Sequence, residues 1–410
     1  MTSSHPRVSA AILAVALSSS VLTAATTLST AAPAAADGPG LGAPWIATLG
    51  DSYISGEAGR WAGNSSVSNS LSDALGATAY FDNATNTGEK ISGCHRSKAQ
   101  ESHIDGGVSG LNLACTGAAT STATDFPNHF KPGLDFSDNG AGQQGQARML
   151  QTFASTHNVK MVVVATGGND FNFPDIVRSC LLDFLGSPFF AKNFCQDDAA
   201  VKANFTSARV SAVQAKVAAA LQNVRAAMRN AGYADAAWSM VVQTYPSVLP
   251  DGLGFRYGEV GPVRQSTGGC GVWNKDAEWA NHTVVPTINA TVRRAATDSG
   301  VAGVKILDLA TAFNGHRLCE KGVGSIEEKR LTSWRQVGAV DQTEWVSRIR
   351  TVTALGSAHF IQESLHPNYW AQQGLQSCVR QVWNGGVVRG GSCAISGTGL
   401  VDGEPRMVLR

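Results

Sequence analysis

Charge is scarce in this sequence. Only 15% of its 410 residues are Asp, Glu, Lys or Arg, and 32 basic residues against 31 acidic ones leave a formal net charge of +1. A surface that binds a polyanion needs a basic face or stripe, so nucleic acid is not expected as a partner. Metal-ligand spacing is also lacking: no two cysteines form C-x-x-C and no H-E-x-x-H occurs, so neither a metal nor another cofactor is expected. No serine stands in a G-x-S-x-G elbow, which argues against an ordinary α/β-hydrolase. Beyond the amino terminus no apolar run reaches the roughly 18 residues that a membrane span requires. Repeats and low-complexity linkers that would split the chain are missing as well.

The amino terminus opens on a short basic lead, "MTSSHPR", followed by the uncharged "VSAAILAVALSSSVL" and an Ala/Thr-rich stretch ending "APAAADGPG". This pattern reads as a secretory signal, with Ala34-x-Ala36 placing cleavage after Ala36. Serines and threonines interrupt the apolar run, which weakens the alternative of a membrane anchor. The expectation is a signal peptide over 1–36, a single domain over 37–410 and a secreted, extracellular product. All eight cysteines (Cys94, Cys115, Cys180, Cys195, Cys270, Cys319, Cys378 and Cys393) fall in the exported part. An even count in an oxidising compartment reads as disulfides. Spacing does not fix connectivity; pairing nearest neighbours (94–115, 180–195, 270–319, 378–393) closes local loops and is the expectation.

Four apolar, β-branched runs read as buried strands: "WIATLG", "KMVVVATGG", "WSMVVQTYP" and "VKILDLA". Helical patterns precede the last three, beginning at "QARMLQ", "SARVSAVQAKV" and "WANHTVVPTINATV", with apolar residues at three- and four-residue steps. Alternation of this kind predicts a mainly parallel sheet covered by helices on both faces. Two long glycine-rich segments, Trp61 to Asn112 and Gly252 to Cys270, break the rhythm and are expected as disulfide-tied loops near the site.

In such a sheet functional groups gather at the carboxyl ends of strands. Ser52 follows the first strand, Gly117 follows "LNLAC", and Gly167-Gly168-Asn169-Asp170 follows "KMVVVAT". Late in the chain, "ESLHPN" sets His366 before a proline that suits the start of a helix. Acyl transfer uses these residue types. A serine hydroxyl needs a base to take its proton, which His366 can supply, and Glu363 stands close enough to orient the imidazole. The Ser52 and Gly117 amides and the Asn169 side chain can form an oxyanion hole. Each residue also has a plainer reading. Ser52 and Asp51 suit a helix cap, Gly117 and Asn169-Asp170 suit turns, His366 suits a cap before Pro367, and Glu363 suits a solvated loop. Joint occurrence at strand ends favours the chemical reading.

These four blocks, Gly50-Asp51-Ser52-Tyr53, Gly117, Gly167-Gly168-Asn169-Asp170 and His366, stand in the order of the SGNH hydrolases, also called the GDSL lipase/esterase family. The sequence resembles that family from about Trp45 to Trp383, and its secreted actinobacterial branch in particular. The resemblance implies a three-layer α/β/α sandwich with a mainly parallel central sheet and long disulfide-tied loops. It makes Ser52 the nucleophile, His366 the base, and Ser52, Gly117 and Asn169 the oxyanion hole. The cysteine-bearing "GCHRS", "LACTGA", "GGCGVWNKDAEWA" and "GHRLCE" look like the disulfide framework of that branch. One departure stands out: the family usually has Asp three residues before the histidine, where this chain has Glu363, and some members use a backbone carbonyl instead.

For the substrate, the informative stretch is "CLLDFLGSPFFAKNFC" (Cys180 to Cys195). It reads as an apolar, disulfide-closed loop whose Phe184, Phe189 and Phe190 either receive an acyl chain, touch a lipid surface or fold back onto the core. Together with the phospholipases of the similar branch, it points to a phospholipase A1/B or lysophospholipase type of enzyme, monomeric and in transient contact with lipid. A carbohydrate acetylesterase or short-chain esterase would use the same catalytic residues but a polar cleft lined by Trp and Tyr. A non-catalytic surface-binding protein would tolerate loss of Ser52 or His366, and both are present.

Overall fold

The computed structural model describes residues 38–125, 128–351 and 360–410; the expected signal peptide lies outside the described residues. Among the described residues nine strands are present: β1 (Trp45–Gly50), β2 (Ser109–Asn112), β3 (Ala123–Asp125), β4 (His129–Lys131), β5 (Val159–Ala165), β6 (Ser239–Gln243), β7 (Lys305–Asp308), β8 (Gly391–Val401) and β9 (Glu404–Leu409). Seven form one sheet in the order β2-β1-β5-β6-β7-β8-β9, while β3 and β4 make a small hairpin. Every pairing in the large sheet is parallel except β8 with β9. Parallel strands covered on both faces carry no polar alternation, and Met161 to Val164 of β5 are accordingly all buried.

Helices flank the sheet: α1 (Ser52–Ser55), α2 (Gln146–Ala154), α3 (Phe173–Gly186), α4 (Ser207–Asn230), α5 (Val285–Asp298) and α6 (Tyr369–Trp383). α4 buries Val213, Val217, Leu221, Val224 and Met228, one face of a helix, and packs against both α2 and α5. The three make one layer. α6 joins the connection between β1 and β2 in the other, through Tyr369 N to Trp61 O at 2.8 Å, Gln372 Nε2 to Tyr53 O at 3.1 Å and Arg380 Nε to Ile104 O at 2.7 Å. The result is the expected three-layer α/β/α sandwich.

The four strands and three helices read from the sequence are present, with two adjustments. The third helical stretch begins earlier, at Asn274, and widens into a π turn at Ala280–Val284 before α5. Pro286 explains the turn, because it has no N–H for an intrahelical bond and its ring crowds the preceding turn. At the carboxyl end β8 and β9 extend the sheet by a hairpin that the sequence did not signal. All four nearest-neighbour disulfides form, and among the described residues no cysteine is free. Cys94–Cys115 ties the first glycine-rich segment beside β2, and Cys270–Cys319 ties the second.

Candidate active site

β1 ends where only glycine fits. Gly50 has φ +139°, and a Cβ there would stand 1.8 Å from the Ala165 carbonyl oxygen of the neighbouring strand. The Gln146 side chain holds this strand end, accepting from Gly50 N at 2.7 Å and donating to Gly50 O at 2.8 Å. Asp51 then caps α1 by accepting from Tyr53 N at 3.1 Å. The capping reading and the chemical reading therefore describe adjacent residues: Asp51 caps, and Ser52 opens the helix with its hydroxyl toward the cavity.

His366 reaches the serine from the far end of the chain. Its Nε2 lies 2.6 Å from Ser52 Oγ, and its Nδ1 lies 3.0 Å from the backbone carbonyl of Ser364. The loop that carries it is anchored by Tyr53 Oη donating to Leu365 O at 3.0 Å and by Ser347 N donating to His366 O at 2.9 Å. Burial lowers the pKa of the imidazole, opposed by the Glu57 charge, the Ser364 carbonyl and Glu363. At neutral pH the ring is thus ready to accept a proton.

Glu363 is placed differently from expectation. Its carboxylate is fully buried and accepts from Trp61 Nε1 at 2.9 Å, Tyr80 Oη at 2.7 Å and Phe360 N at 3.0 Å. The orienting bond to His366 Nδ1 comes from Ser364 O instead, the backbone-carbonyl arrangement. The physical reason is that Trp61, Tyr80 and Phe360 hold the carboxylate within its own pocket, and the chain turns between Glu363 and His366 through Leu365, which has φ +60°.

Gly117 and Asn169 line the same cavity as Ser52 and His366. Gly117 has φ +79°, and among the described residues neither its amide nor that of Ser52 has a hydrogen-bond partner. Asn169 Nδ2 donates one hydrogen to Ala118 O at 2.7 Å, which leaves its second directed donor. Asp170 accepts from Thr120 N at 3.0 Å and Thr120 Oγ1 at 2.8 Å. Asn169-Asp170 is thus more than a turn after a strand, since both side chains clamp the segment that follows Gly117.

Tyr245, two residues past the end of β6, is a site residue to which the sequence assigns no role. Its hydroxyl donates to Asp51 and accepts from Gly168 N at 3.1 Å, which joins the serine block to the asparagine block. Its position just after a buried strand, in "QTYP", was the available signal. Burial pushes the Asp51 carboxyl up to about 7, against the Tyr245 hydroxyl and the Tyr53 amide.

The cavity above Ser52 measures about 740 Å³. Its walls are mainly apolar, with Ile176, Val177, Leu181 and Leu185 from α3 together with Val248 and Ile288, and charged groups of both signs, Lys131, Arg178 and Arg350 with Asp125 and Asp276, also line it. The first part of the stretch expected as an apolar loop, Cys180 to Gly186, is helix, because α3 continues to Gly186, and only the rest is loop. Phe184, Phe189 and Phe190 are therefore corrected as cavity residues. Phe184 packs on Trp273 with ring centroids 4.7 Å apart, whereas Phe189 and Phe190 are 55% and 81% exposed beyond the helix end. Helical phase turns Leu181 and Leu185, four residues apart, to the cavity in their place. Among the described residues, the grouping of Cys180, Cys195 and Asp276 has metal-ligand proximity, but its two sulfurs are bonded to each other and Asp276 accepts the Cys195 and Gln196 amides. No helix in the described residues is long and apolar enough to cross a membrane.

The GDSL-like lipase/acylhydrolase family model matches residues 46–373. Among solved structures, the extracellular lipase of Streptomyces rimosus is similar at 20% identity and TM-score 0.40, covering 84% of this chain and 100% of that one. Phospholipase A1 of Streptomyces albidoflavus NA297 is similar at 20% identity and TM-score 0.43, covering 85% and 100%. A carbohydrate acetylesterase of Sinorhizobium meliloti, Est24, is similar at 9% identity and TM-score 0.28, covering 69% and 92%. No match was found among curated protein sequences. The family match spans most of the chain, which belongs to the GDSL-like lipase/acylhydrolases.

Proposed function

We propose that this GDSL-like hydrolase is a secreted lipolytic enzyme that cleaves the acyl ester of a phospholipid or lysophospholipid through an acyl-enzyme on Ser52. The observation that carries the reading is the 2.6 Å contact between Ser52 Oγ and His366 Nε2 in the wall of a mainly apolar cavity. Ser364 O accepts from Nδ1–H and so selects the tautomer whose Nε2 takes the serine proton. Oγ attacks the ester carbonyl, and the new oxyanion is received by the Ser52 and Gly117 amides and Asn169 Nδ2. Collapse expels the alcohol, protonated by His366, and water then releases the acyl group by the same steps in reverse. The working unit is a Ser52–His366 dyad with a carbonyl orienter.

The cavity wall supports a long acyl chain over acetyl, because Ile176, Val177, Leu181, Leu185, Val248 and Ile288 would face a methyl group with mostly empty space. Exposed Leu182, Leu185, Phe189 and Phe190 at the end of α3 favour transient contact with a lipid surface. The four disulfides fit an oxidising destination. The test incubates purified protein with phosphatidylcholine, tributyrin, a short p-nitrophenyl ester and acetylated xylan and quantifies released acids and lyso-products. Phosphatidylcholine turnover that falls by several orders of magnitude in folded Ser52→Ala and His366→Ala proteins is the expected result. Acetylated xylan as the sole good substrate would overturn the lipid assignment. More than a few per cent of wild-type activity in Ser52→Ala would overturn the nucleophile.

A further inference from the structure

Beside the site lie two fully buried carboxylates, Glu57 and Glu363, that take no part in the steps above. Buried anions are retained only where they are well bonded, so their partners indicate their use. Glu57 stands two residues past the end of α1. Both of its oxygens lie 2.9 Å from His95 Nδ1, and it accepts from the hydroxyl of Thr116, the residue before Gly117. Glu363 begins the turn to His366 and accepts from Tyr80 Oη at 2.7 Å.

His95 links the two. Its ring stacks on Tyr80, with centroids 4.6 Å apart and planes 14° from parallel, and its Nε2 lies 3.4 Å from Glu89 Oε1. Burial opposes its protonation, but the charges of Glu57, Glu89 and Glu363 outweigh burial and raise its pKa. The backbone at His95 is left-handed, at φ +47°, a conformation that persists in a non-glycine residue only when its surroundings hold it. Those surroundings are Cys94, bonded to Cys115, and Arg96, which donates to Ala114 O at 2.8 Å and Leu113 O at 2.9 Å. Three consecutive residues, 94–96, thus grip the segment that leads into Gly117.

We propose that His95 is a positioning residue: paired with Glu57 it fixes the Thr116–Gly117 arm of the oxyanion hole, and through Tyr80 and Glu363 it sets the His366 loop in register with Ser52. One buried imidazole would then coordinate the nucleophile helix, the oxyanion arm and the base loop, which approach from three distant parts of the chain. The proposal rests on the reading of Ser52 and His366 as nucleophile and base.

Thr116→Val removes the hydroxyl that Glu57 holds at nearly constant volume, Thr116→Ser keeps it, and His95→Asn removes the stacked ring with a residue that accepts left-handed backbone. The measurements are kcat and KM on a short p-nitrophenyl ester, normalised to active sites counted with a fluorophosphonate, together with thermal unfolding. A displaced oxyanion arm predicts a roughly 10- to 100-fold fall in kcat for Thr116→Val and His95→Asn, with KM within about twofold and Thr116→Ser near wild type. A Thr116→Val protein within about twofold of wild-type kcat overturns the proposal, whether or not its melting temperature falls, because His95 would then serve stability alone. A rise in KM without a fall in kcat overturns it too. If His95→Asn does not fold, the Thr116 pair decides. Failure of the underlying reading looks different: the wild-type protein itself would neither turn over the ester nor be labelled at Ser52.

Discussion

Replacing Tyr245 by Phe removes a single oxygen and tests how the serine and asparagine blocks are held together. The hydroxyl has two partners, donating to Asp51 and accepting from Gly168 N at 3.1 Å. Burial raises its own pKa well above the ordinary value, so it remains a donor throughout the working range. Asp51 has a folded-state pKa of about 7 against a reference of 3.8, with burial as the main cause. The sign follows from the proton count. The unfolded chain releases this proton near pH 4 and the folded chain keeps it to about 7, so stability falls as pH rises across that window. Above it the cost levels off at about 4 kcal/mol. The Tyr245 bond acts to lower the Asp51 pKa, so without it that pKa climbs further and the loss of stability continues above pH 7. Two parts are therefore expected in Tyr245→Phe. The Gly168 amide left without an acceptor costs about 1–3 kcal/mol at any pH, and the poorer Asp51 site adds a cost that grows above neutrality. Urea unfolding of both proteins at about pH 5.5 and about pH 8.5, with unchanged m-values, measures each part. A stability difference that is the same at both pH values would refute the Asp51 argument, and no difference at either would refute the linkage altogether.

Because burial depresses the His366 pKa, the acidic limb of kcat/KM on a neutral ester is expected below the ordinary histidine value of about 6.5; a limb well above it would contradict the site electrostatics. Leu181→Ala and Leu185→Ala are each expected to lower kcat/KM on a decanoyl ester by roughly fivefold, about 1 kcal/mol for a partly buried contact, while acetyl-ester turnover stays within about twofold. Equal losses on both esters would show that α3 acts structurally. Glu363→Gln disturbs the bonds from Trp61, Tyr80 and Phe360 rather than the bond to His366 Nδ1, so destabilisation of about 1–3 kcal/mol in urea unfolding should exceed any direct catalytic loss. A fall in kcat of several hundredfold in a protein of unchanged stability would restore the carboxylate as orienter. Thiol titration of the denatured, unreduced protein should find no reactive group.

What the sequence makes legible is chemistry placed at strand ends. Ser52, Gly117 and Asn169 each follow an apolar run, and the turn chemistry around them marks the sheet edge from which all three project. The orienter of His366 is illegible for a simple reason. Every residue carries a carbonyl, so nothing in the letters singles out Ser364, while an acidic side chain at Glu363 attracts the role by type. The phenylalanines of the Cys180 to Cys195 stretch fail for another. "CLLDFLGSPFF" shows that apolar area is present, but only the helical phase decides that Leu181 and Leu185 face the cavity and Phe184 faces Trp273. β8, with three glycines in "GSCAISGTGLV", carries turn residues where a strand forms, and its pairing with β9 overrides local preference. Tyr245 and His95 draw their meaning from partners far away in the chain; for Tyr245 the local pattern offers only a place just after a buried strand, and for His95 it offers nothing.

The bridge between Cys94 and Cys115 flanks both His95 and Thr116, so the arm that receives the oxyanion is secured covalently only after oxidation. A chain still in a reducing cytoplasm would have its serine and histidine but a slack receiving arm. In the proposed reading, a cell making a lipid-cleaving enzyme thereby keeps its own membranes out of reach of a competent catalyst, since competence comes with the oxidising conditions met outside. Production of the protein in a reducing host should for the same reason yield material that folds in part, stays soluble and does little harm, and that gains activity on air oxidation.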